Sequence, residues 1–430
     1  MSESNSSKTS VPIESADFRP LTACRLCGGS LALGLSLRPT PIANELLSPY
    51  LSRGPDDHAP GPPEVFPLDV MVCDVCAHVQ LGHVVDKRRL FQHKSYPYRS
   101  GATAHFVRHL SLYAKEMIER FRPKTIVEIG SNDGTMQAAF RDLGVKVIGV
   151  EPSDAARVAL EAGHLTHHAF FDRAIADHIR ETAGPADLII ANHVFAHVDD
   201  LGAMTEAIRS LLGPKGVFVF EVGYLPQVLE GHLFDTMYHE HLSYHHLLPL
   251  ARFFRSQGLL LFDAELVETQ GGAVRCFVSI EGESTTRGMH LCGLERTGGF
   301  GDPERVRSKL FLLEAEMRVL RTALRETLDE FSGRVVAGYG APAKAVSFLY
   351  QMDVTLAFVV EDNPAKQGLC LPTPRPTFID KAIVFNEPDA FLVLAWNFAS
   401  EIMHKHRDFR GTWIVPLPEL RVIECKSSRP

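Results

Sequence analysis

The chain has no apolar run approaching the ~20 residues that cross a bilayer, so no segment is expected to span a membrane. It has no basic excess: 44 Lys and Arg against 52 Asp and Glu give a formal charge of −8. That is the wrong sign for general nucleic-acid binding. Cysteine is too scarce for a disulfide scaffold, eight in 430 residues, which points to a reducing, cytoplasmic setting. Residues 1–20 form a polar, Ser-rich lead without the apolar core of a secretory signal and are expected to be disordered. No fixed-period repeat of the solenoid kind occurs. What remains is globular, 45% apolar and 22% charged, and long enough for two or three cores.

From Leu21 to about Arg99 turns and short strands dominate, interrupted by the Pro/Gly-rich stretch Ser52–Pro63, which reads as an exposed loop. An amphipathic helix over His105–Arg120 follows. Thr125–Gly130 is then a buried strand, apolar, β-branched and closed by Gly. Strands over Val145–Val150, Asp187–Ala191 and Gly216–Glu221 alternate with helices, one of them Gly202–Leu212. This alternation predicts right-handed βαβ units and a parallel sheet. Leu259–Glu268 and Ala273–Ile280, around Gly271-Gly272, fit an antiparallel pair at the edge of that sheet. A long helix over Glu304–Phe331 puts Val306, Leu310, Leu313, Met317, Leu320, Leu324 and Leu328 on one face. A second alternation opens at Val335–Gly338 and continues with a helix after Pro342 and strands Leu356–Val360 and Phe391–Ala395. The predicted layout is a lead (1–20), a small module (21–100), an α/β domain (101–285), a helical spacer (286–332) and a second α/β domain (333–430).

The cysteines are unevenly spread. Cys24 with Cys27 and Cys73 with Cys76 form two C-x-x-C pairs, while Cys276, Cys292, Cys370 and Cys425 are scattered. Two such knuckles complete a tetrahedral four-thiolate zinc site, with the chain between them looping out. No further ligand or open position is indicated, so a structural zinc that stabilises a small core is expected. Neither pair opens a helix after a strand, which argues against a redox motif.

Glu128-Ile-Gly-Ser-Asn-Asp-Gly134 follows a strand and opens a helix. Gly130 permits close approach to a ligand, and Gly134 permits tight packing at the helix start. Glu151 ends the next strand, where a carboxylate takes ribose hydroxyls. So acidic a turn suits a cation better than a pyrophosphate. S-adenosylmethionine (SAM) carries a ribose, an amino group and a sulfonium, and no phosphate. Asp133 is expected to hold its amino group and the helix N-terminus its carboxylate. Phe170-Phe171-Asp172 offers an apolar wall and a carboxylate for adenine, and Asn192-His193 faces the same crevice. Tyr98 is placed either to close over a ligand or to pack. In the second α/β domain Gly338-Tyr-Gly-Ala-Pro-Ala-Lys344 repeats the strand–turn–helix pattern, with Lys344 as counter-charge to a phosphate. Glu361-Asp-Asn363 is placed to contact a sugar or base.

These motifs come in a fixed order: the paired C-x-x-C, Tyr96-Pro-Tyr98, Glu128–Gly134, Asn192-His-Val-Phe-Ala-His197, Phe234–Tyr244, Gly338–Lys344, Asp362–Gly368 and Val415-Pro-Leu-Pro418. Together they resemble the bacterial sugar C-methyltransferases of deoxysugar and antibiotic biosynthesis, from Cys24 to Pro418. The resemblance implies a Rossmann-like class I SAM methyltransferase domain, a zinc module before it and a second Rossmann-like domain behind it. It further implies an acceptor that is a nucleotide-linked keto sugar, methylated at the carbon beside the ketone. His241 is then the general base that makes the enolate. Glu240 orients His241 or binds a sugar hydroxyl, and Tyr238 and His197 donate hydrogen bonds. The implied cofactor set is Glu128, Gly130, Asn132, Asp133, Gly134, Glu151, Pro152, Phe171, Asn192, His193 and Tyr98. The implied acceptor set is Tyr244, Tyr339, Lys344 and Asn363, and the zinc set is Cys24, Cys27, Cys73 and Cys76. His232, His239, His245 and His246, in a segment read as polar, receive no role, and Glu221 is read as polar lining. The Ser52 insert is longer than that family's, and Gln270 stands where the family usually has His. A monomer or weak homodimer is expected. Competing readings are SAM-dependent methyl transfer to a non-sugar acceptor, a non-catalytic zinc and nucleotide-binding regulator, and an NAD oxidoreductase.

Overall fold

The computed structural model describes residues 18–48, 63–92, 97–269, 271–375, 377–381 and 388–425. Most of the Ser52–Pro63 insert, Tyr96 and Gln270 lie outside the described residues. The lead ends sooner than the sequence suggests, because Phe18–Pro20 is already a strand, paired antiparallel with His83–Val85.

The first α/β unit is built on a seven-stranded sheet in the order Leu260–Val267, Ala273–Ser279, Leu212–Gly223, Ala186–Asn192, Ile126–Ile129, Val147–Val150, Thr166–His167. The last five are parallel, and the first two form the expected antiparallel edge. Its central strands are buried on both faces, as parallel strands sandwiched by helices must be. Ile126–Ile129 lies between Val147–Val150 and Ala186–Asn192, so the strand order reverses there. In such sheets ligands bind in the crevice beyond the strand ends at that switch point. The second α/β unit repeats the plan with seven shorter strands centred on Val336–Tyr339.

The cysteine pairs sit on a four-stranded antiparallel sheet: Ser243–Tyr244, Val79–Leu81, Phe66–Cys73, Leu31–Thr40. Its first strand belongs to the His-rich segment, far along the chain. The long helix Pro303–Asp329 buries Val306, Leu310, Leu313, Met317 and Leu324 as its periodicity demands. It is more than a spacer. Those residues share one continuous core with Leu35, Val70 and Val72 of the cysteine-bearing sheet and with Val346, Phe391 and Trp413 of the second α/β unit. A Cβ at Gly34 would stand 2.5 Å from Leu310 Cδ1, so glycine lets helix and sheet touch.

Candidate functional site

A single cleft of about 1290 Å³ is lined by all three units. The four cysteine sulfurs lie outside it, all within 4.8 Å of one another. The close contacts run between knuckles: Cys24 Sγ to Cys76 Sγ is 3.7 Å and Cys27 Sγ to Cys73 Sγ is 3.4 Å. Tetrahedral zinc with Zn–S bonds of ~2.3 Å spaces its sulfurs by roughly 3.8 Å, so this donor set fits the ion. Four thiols leave no open position, which suits a structural metal.

At the first sheet's crevice, Gly130 adopts φ +73°, and a Cβ there would stand 2.3 Å from Val194 Cγ2. Only glycine fits that turn. Glu151 accepts from the backbone N–H groups of Asn132 at 2.9 Å and Ser153 at 2.8 Å, one per oxygen. Each oxygen keeps a lone pair, so the carboxylate still has capacity for a diol. Glu128 is buried, lines the cleft and has one oxygen without a hydrogen bond. Burial, reinforced by Asp133 and Glu151, pushes its carboxyl well above the ordinary range. A cation placed here relieves that strain, and a pyrophosphate worsens it. The buried and unsatisfied donor set therefore fits SAM. Pro152, Phe171, Asn192, His193 and Tyr98 line the same end, and both side-chain polar atoms of Asn192 lack partners. Tyr98 is 38% exposed at the rim.

Asp133 departs from expectation. Its carboxylate accepts from Gly101 N–H at 2.9 Å and from the Thr135 N–H and hydroxyl at 3.2 and 2.6 Å, and it does not line the cleft. It tethers the Ser100–Ala102 turn to the start of helix Thr135–Asp142, turned away from the cleft. Gly134 likewise stands back from the cleft as that helix's left-handed cap residue. Of that turn's carboxylates, Glu128 is the one that lines the cleft. Asp172 spends an oxygen capping its helix through Ile175 N–H at 3.0 Å. Glu221 sits behind the wall, ion-paired to buried Arg275 at 2.7 Å and hydrogen-bonded to His109 at 3.0 Å.

The His-rich segment, read as polar, is buried. His239, Glu240, His245 and His246 are each at most 2% exposed. His241 faces the cleft. Its Nδ1 lies 2.7 Å from the Thr236 carbonyl and its Nε2 2.9 Å from the Tyr238 hydroxyl. A carbonyl only accepts, so Nδ1 carries the proton and Nε2 presents a lone pair that receives the Tyr238 hydrogen bond. Thr236, not Glu240, orients the ring. Burial pulls His241 down to about 4, so it is neutral at pH 7. The His197 ring stacks on it at 5.2 Å and on Phe91 at 5.6 Å. Glu240 accepts from Asn44 Nδ2 at 3.1 Å, keeps a buried oxygen without a partner, and is pushed up to about 7 by burial. The second α/β unit braces this turn: Trp396 Nε1 donates to Asp235 at 2.6 Å and Ser347 Oγ to the Met237 carbonyl at 2.8 Å.

That unit's own crevice opens onto the same cleft. Glu361 accepts from Ala341 N–H at 2.8 Å and Asn363 N–H at 2.9 Å, the arrangement Glu151 has in the first unit. Lys344, Lys366, Lys405, Tyr339 and Asn363 line it. Lys344 donates to Asn397 at 2.8 Å, lies 3.7 Å from the Trp396 ring centre and is pulled down to about 8 by burial, so it stays charged at pH 7. Tyr339 donates to Asp362 at 2.8 Å. Tyr244 lines the cleft, and its buried hydroxyl has no hydrogen-bond partner. Lys366 and Lys405 were not singled out from the sequence, although Lys366 belongs to the Asp362–Gly368 motif.

Burial lowers the pKa of His193, His197, His239, His241 and His245. The unfolded chain binds protons near ~6.5 that the folded chain refuses. Stability is therefore full above that pH and declines as pH falls toward the folded values. Melting temperatures at about pH 5 should lie well below those at about pH 7.5; equal values would contradict this burial.

Comparison with known proteins accords with this layout. Residues 24–91 match a zinc binding domain model, 98–262 a methyltransferase domain and 268–418 a C-methyltransferase C-terminal domain. The chain is 33% identical over 425 residues to C-methyltransferase NovU of Streptomyces niveus, covering 95% of this chain and 99% of that one. A ubiquinone biosynthesis O-methyltransferase of Rhodopseudomonas palustris is 30% identical over 96 residues, 22% of this chain and 38% of that one. A solved SAM-dependent methyltransferase from Clostridium acetobutylicum aligns at 15% identity over 41% of this chain and 92% of that one, with a TM-score of 0.32. No helix among the described residues is long and apolar enough to cross a membrane. With a zinc binding module, a methyltransferase domain and a C-methyltransferase C-terminal domain in one end-to-end match, the chain belongs to the SAM-dependent C-methyltransferase family.

Proposed function

We propose that this chain methylates the carbon beside the ketone of a nucleotide-linked keto-deoxysugar through an enolate made by His241. The observation that carries the reading is the His241 ring: half-buried, neutral, its tautomer fixed by the Thr236 carbonyl, with the Nε2 lone pair turned to Tyr238 in a cleft shared by two nucleotide-type crevices. Bound SAM supplies an electrophilic methyl group on sulfur. Glu151 takes the ribose hydroxyls, Glu128 the ammonium, and Phe171 with Pro152 the apolar faces of the cofactor. His241 Nε2 removes the proton next to the ketone once the Tyr238 hydroxyl turns from it to the developing oxyanion. Glu240 in its protonated form and the neutral His197 ring add donors from the same wall. The buried surroundings exclude water, which strengthens each of these contacts.

Lys344, Lys366 and Lys405 offer positive charge to the acceptor's phosphates, Glu361 a carboxylate to a nucleoside diol, and Asn363, Tyr339 and Tyr244 further hydrogen bonds. The volume supports two ligands, since a site for one small molecule is typically ~300–1,000 Å³ and this cleft is about 1290 Å³.

Incubation with methyl-labelled SAM and a panel of nucleotide-linked 4-keto sugars, followed by mass spectrometry, tests the acceptor. One sugar should gain a carbon-bound methyl, and methylation confined to oxygen or to non-sugar ketones would contradict the reading. Two pH effects follow. SAM affinity should rise with pH as Glu128 gives up its proton, and Glu128→Gln should abolish that dependence. Turnover should fall as pH climbs through about 7 and Glu240 ionises; Glu240→Gln, which cannot ionise, should remove that limb, and a limb that persists would exclude Glu240 as the donor.

A further inference from the structure

The segments that carry the stacked rings of His197 and His241 are each tied to a different cysteine knuckle. Arg25 lies between Cys24 and Cys27, with its side chain only 2% exposed. Its Nη1 donates to the Asp199 carbonyl at 2.8 Å and to Asp199 Oδ1 at 2.6 Å. Asp199 is two residues beyond His197, in the connection from strand Ala186–Asn192 to helix Leu201–Leu211. The far end of that connection is fixed where Asp200 caps the helix through Ala203 N–H at 2.8 Å. His197 itself makes no hydrogen bond through Nε2. Its position depends on ring stacking, on its own N–H bond to the Val194 carbonyl at 2.8 Å and on where the backbone beyond it is pinned; Arg25 is the buried pin there, beside Arg19, which ion-pairs with the other Asp199 oxygen from the exposed side.

The second knuckle acts on the other ring. Three residues after Cys76 begins the strand Val79–Leu81, which pairs antiparallel with Ser243–Tyr244, and Leu81 N–H donates to the Leu242 carbonyl at 3.0 Å. His241 immediately precedes that contact. The knuckles are also tied to each other, because Arg25 N–H donates to Gln80 Oε1 at 2.8 Å and the sulfur contacts run crosswise.

Arg25 is an expensive way to stabilise a fold. Its Nε and Nη2 are buried without hydrogen bonds, and a well-packed apolar side chain commonly serves stability as well as a buried ion pair. What an apolar side chain cannot do is grip a carboxylate and a carbonyl of one residue at fixed distance. We infer that Arg25 is a positioning residue: it carries the placement of the first zinc knuckle to His197, while the second knuckle places His241 through the strand pairing. The importance of this for turnover rests on the proposed roles of the two histidines, but the geometry is testable without any acceptor.

The test uses the full-length zinc-bound chain with nitrogen-labelled histidine. Proton–nitrogen correlation spectra of the imidazoles, zinc content and calorimetric affinity for S-adenosylhomocysteine are compared among wild type, Arg25→Met, Arg25→Lys and Asp199→Asn. In Arg25→Met the His197 signals should shift and broaden, with zinc content and cofactor affinity unchanged. Asp199→Asn, at the partly exposed end of the pair, should reproduce the pattern and keeps the test open if Arg25→Met folds poorly. Arg25→Lys should restore much of the wild-type spectrum. With a working acceptor, Arg25→Met should lower kcat by on the order of 10²-fold, the cost of a 1 Å misplacement, at unchanged KM. Wild-type His197 signals in both Arg25→Met and Asp199→Asn would overturn the inference, as would zinc loss that accompanies every spectral change. A wild-type enzyme inert toward keto sugars would instead defeat the acceptor reading while leaving these spectra interpretable.

Discussion

His241→Asn should bind SAM as wild type does and yet lose ~10²–10⁴-fold in turnover, the range that general-base action supplies. Asparagine keeps a polar side chain of similar reach, so stacking with His197 is weakened but the cleft is not emptied. The loss should not be recovered by raising the pH, because the wild-type ring, pulled down to about 4 by burial, is already deprotonated at neutrality. Single-turnover kinetics beside calorimetric cofactor affinity would measure both halves. A variant that retained near wild-type turnover would move the base elsewhere, with Tyr238 the next group in line at 2.9 Å.

Cys76→Ser should cost the chain its zinc and most of its stability. Structural zinc contributes apparent binding free energies of about 10–16 kcal/mol in isolated zinc-finger peptides, comparable to the whole ~5–15 kcal/mol that holds a typical domain folded. Here the effect should spread beyond the module. The cysteine-bearing sheet includes Ser243–Tyr244 of the His-rich segment and shares a core with the long helix and the second α/β unit. Metal analysis should find under one zinc per chain, and thermal melting should lose cooperativity in the whole protein. Full zinc occupancy with a wild-type melt would contradict the four-thiolate site.

Much of this architecture was readable from the sequence because its signals are local. The strand at Ile126–Ile129 and the helix Pro303–Asp329 fall within two residues of expectation, since β-branched runs and a repeating apolar stripe report directly on burial. The four cysteines converge as their spacing demands. What the stripe on the long helix does not reveal is its partner. An apolar face tells that something covers it, and the merging of the cysteine-bearing sheet, this helix and the second α/β unit into one core is a long-range fact.

The site was legible by residue type and less so by role. Asp133 looks like a ligand in a Gly-flanked acidic turn, but an Asp at the start of a helix competes for backbone N–H groups, and here that local chemistry won. The carboxylate of that turn that lines the cleft is Glu128, on the strand. The group that orients His241 is a backbone carbonyl, Thr236, which no side-chain pattern can announce. The His-rich segment reads as polar because histidine is equally at home on a surface and in a core. Its burial follows from strand pairing with Val79–Leu81, more than 160 residues away by the pairing of Ser243 with Gln80.

The account stands or falls on a carbon acid being deprotonated in this cleft, and proton exchange reads that step without methyl transfer. The enzyme is incubated in deuterium oxide with S-adenosylhomocysteine and a nucleotide-linked 4-keto sugar, and the sugar is followed by NMR. Deuterium should enter at the one carbon beside the ketone that is later methylated, and His241→Asn should stop it. A keto sugar that is methylated by the wild-type enzyme, while exchange at that carbon stays at the rate seen without enzyme, would contradict the enolate.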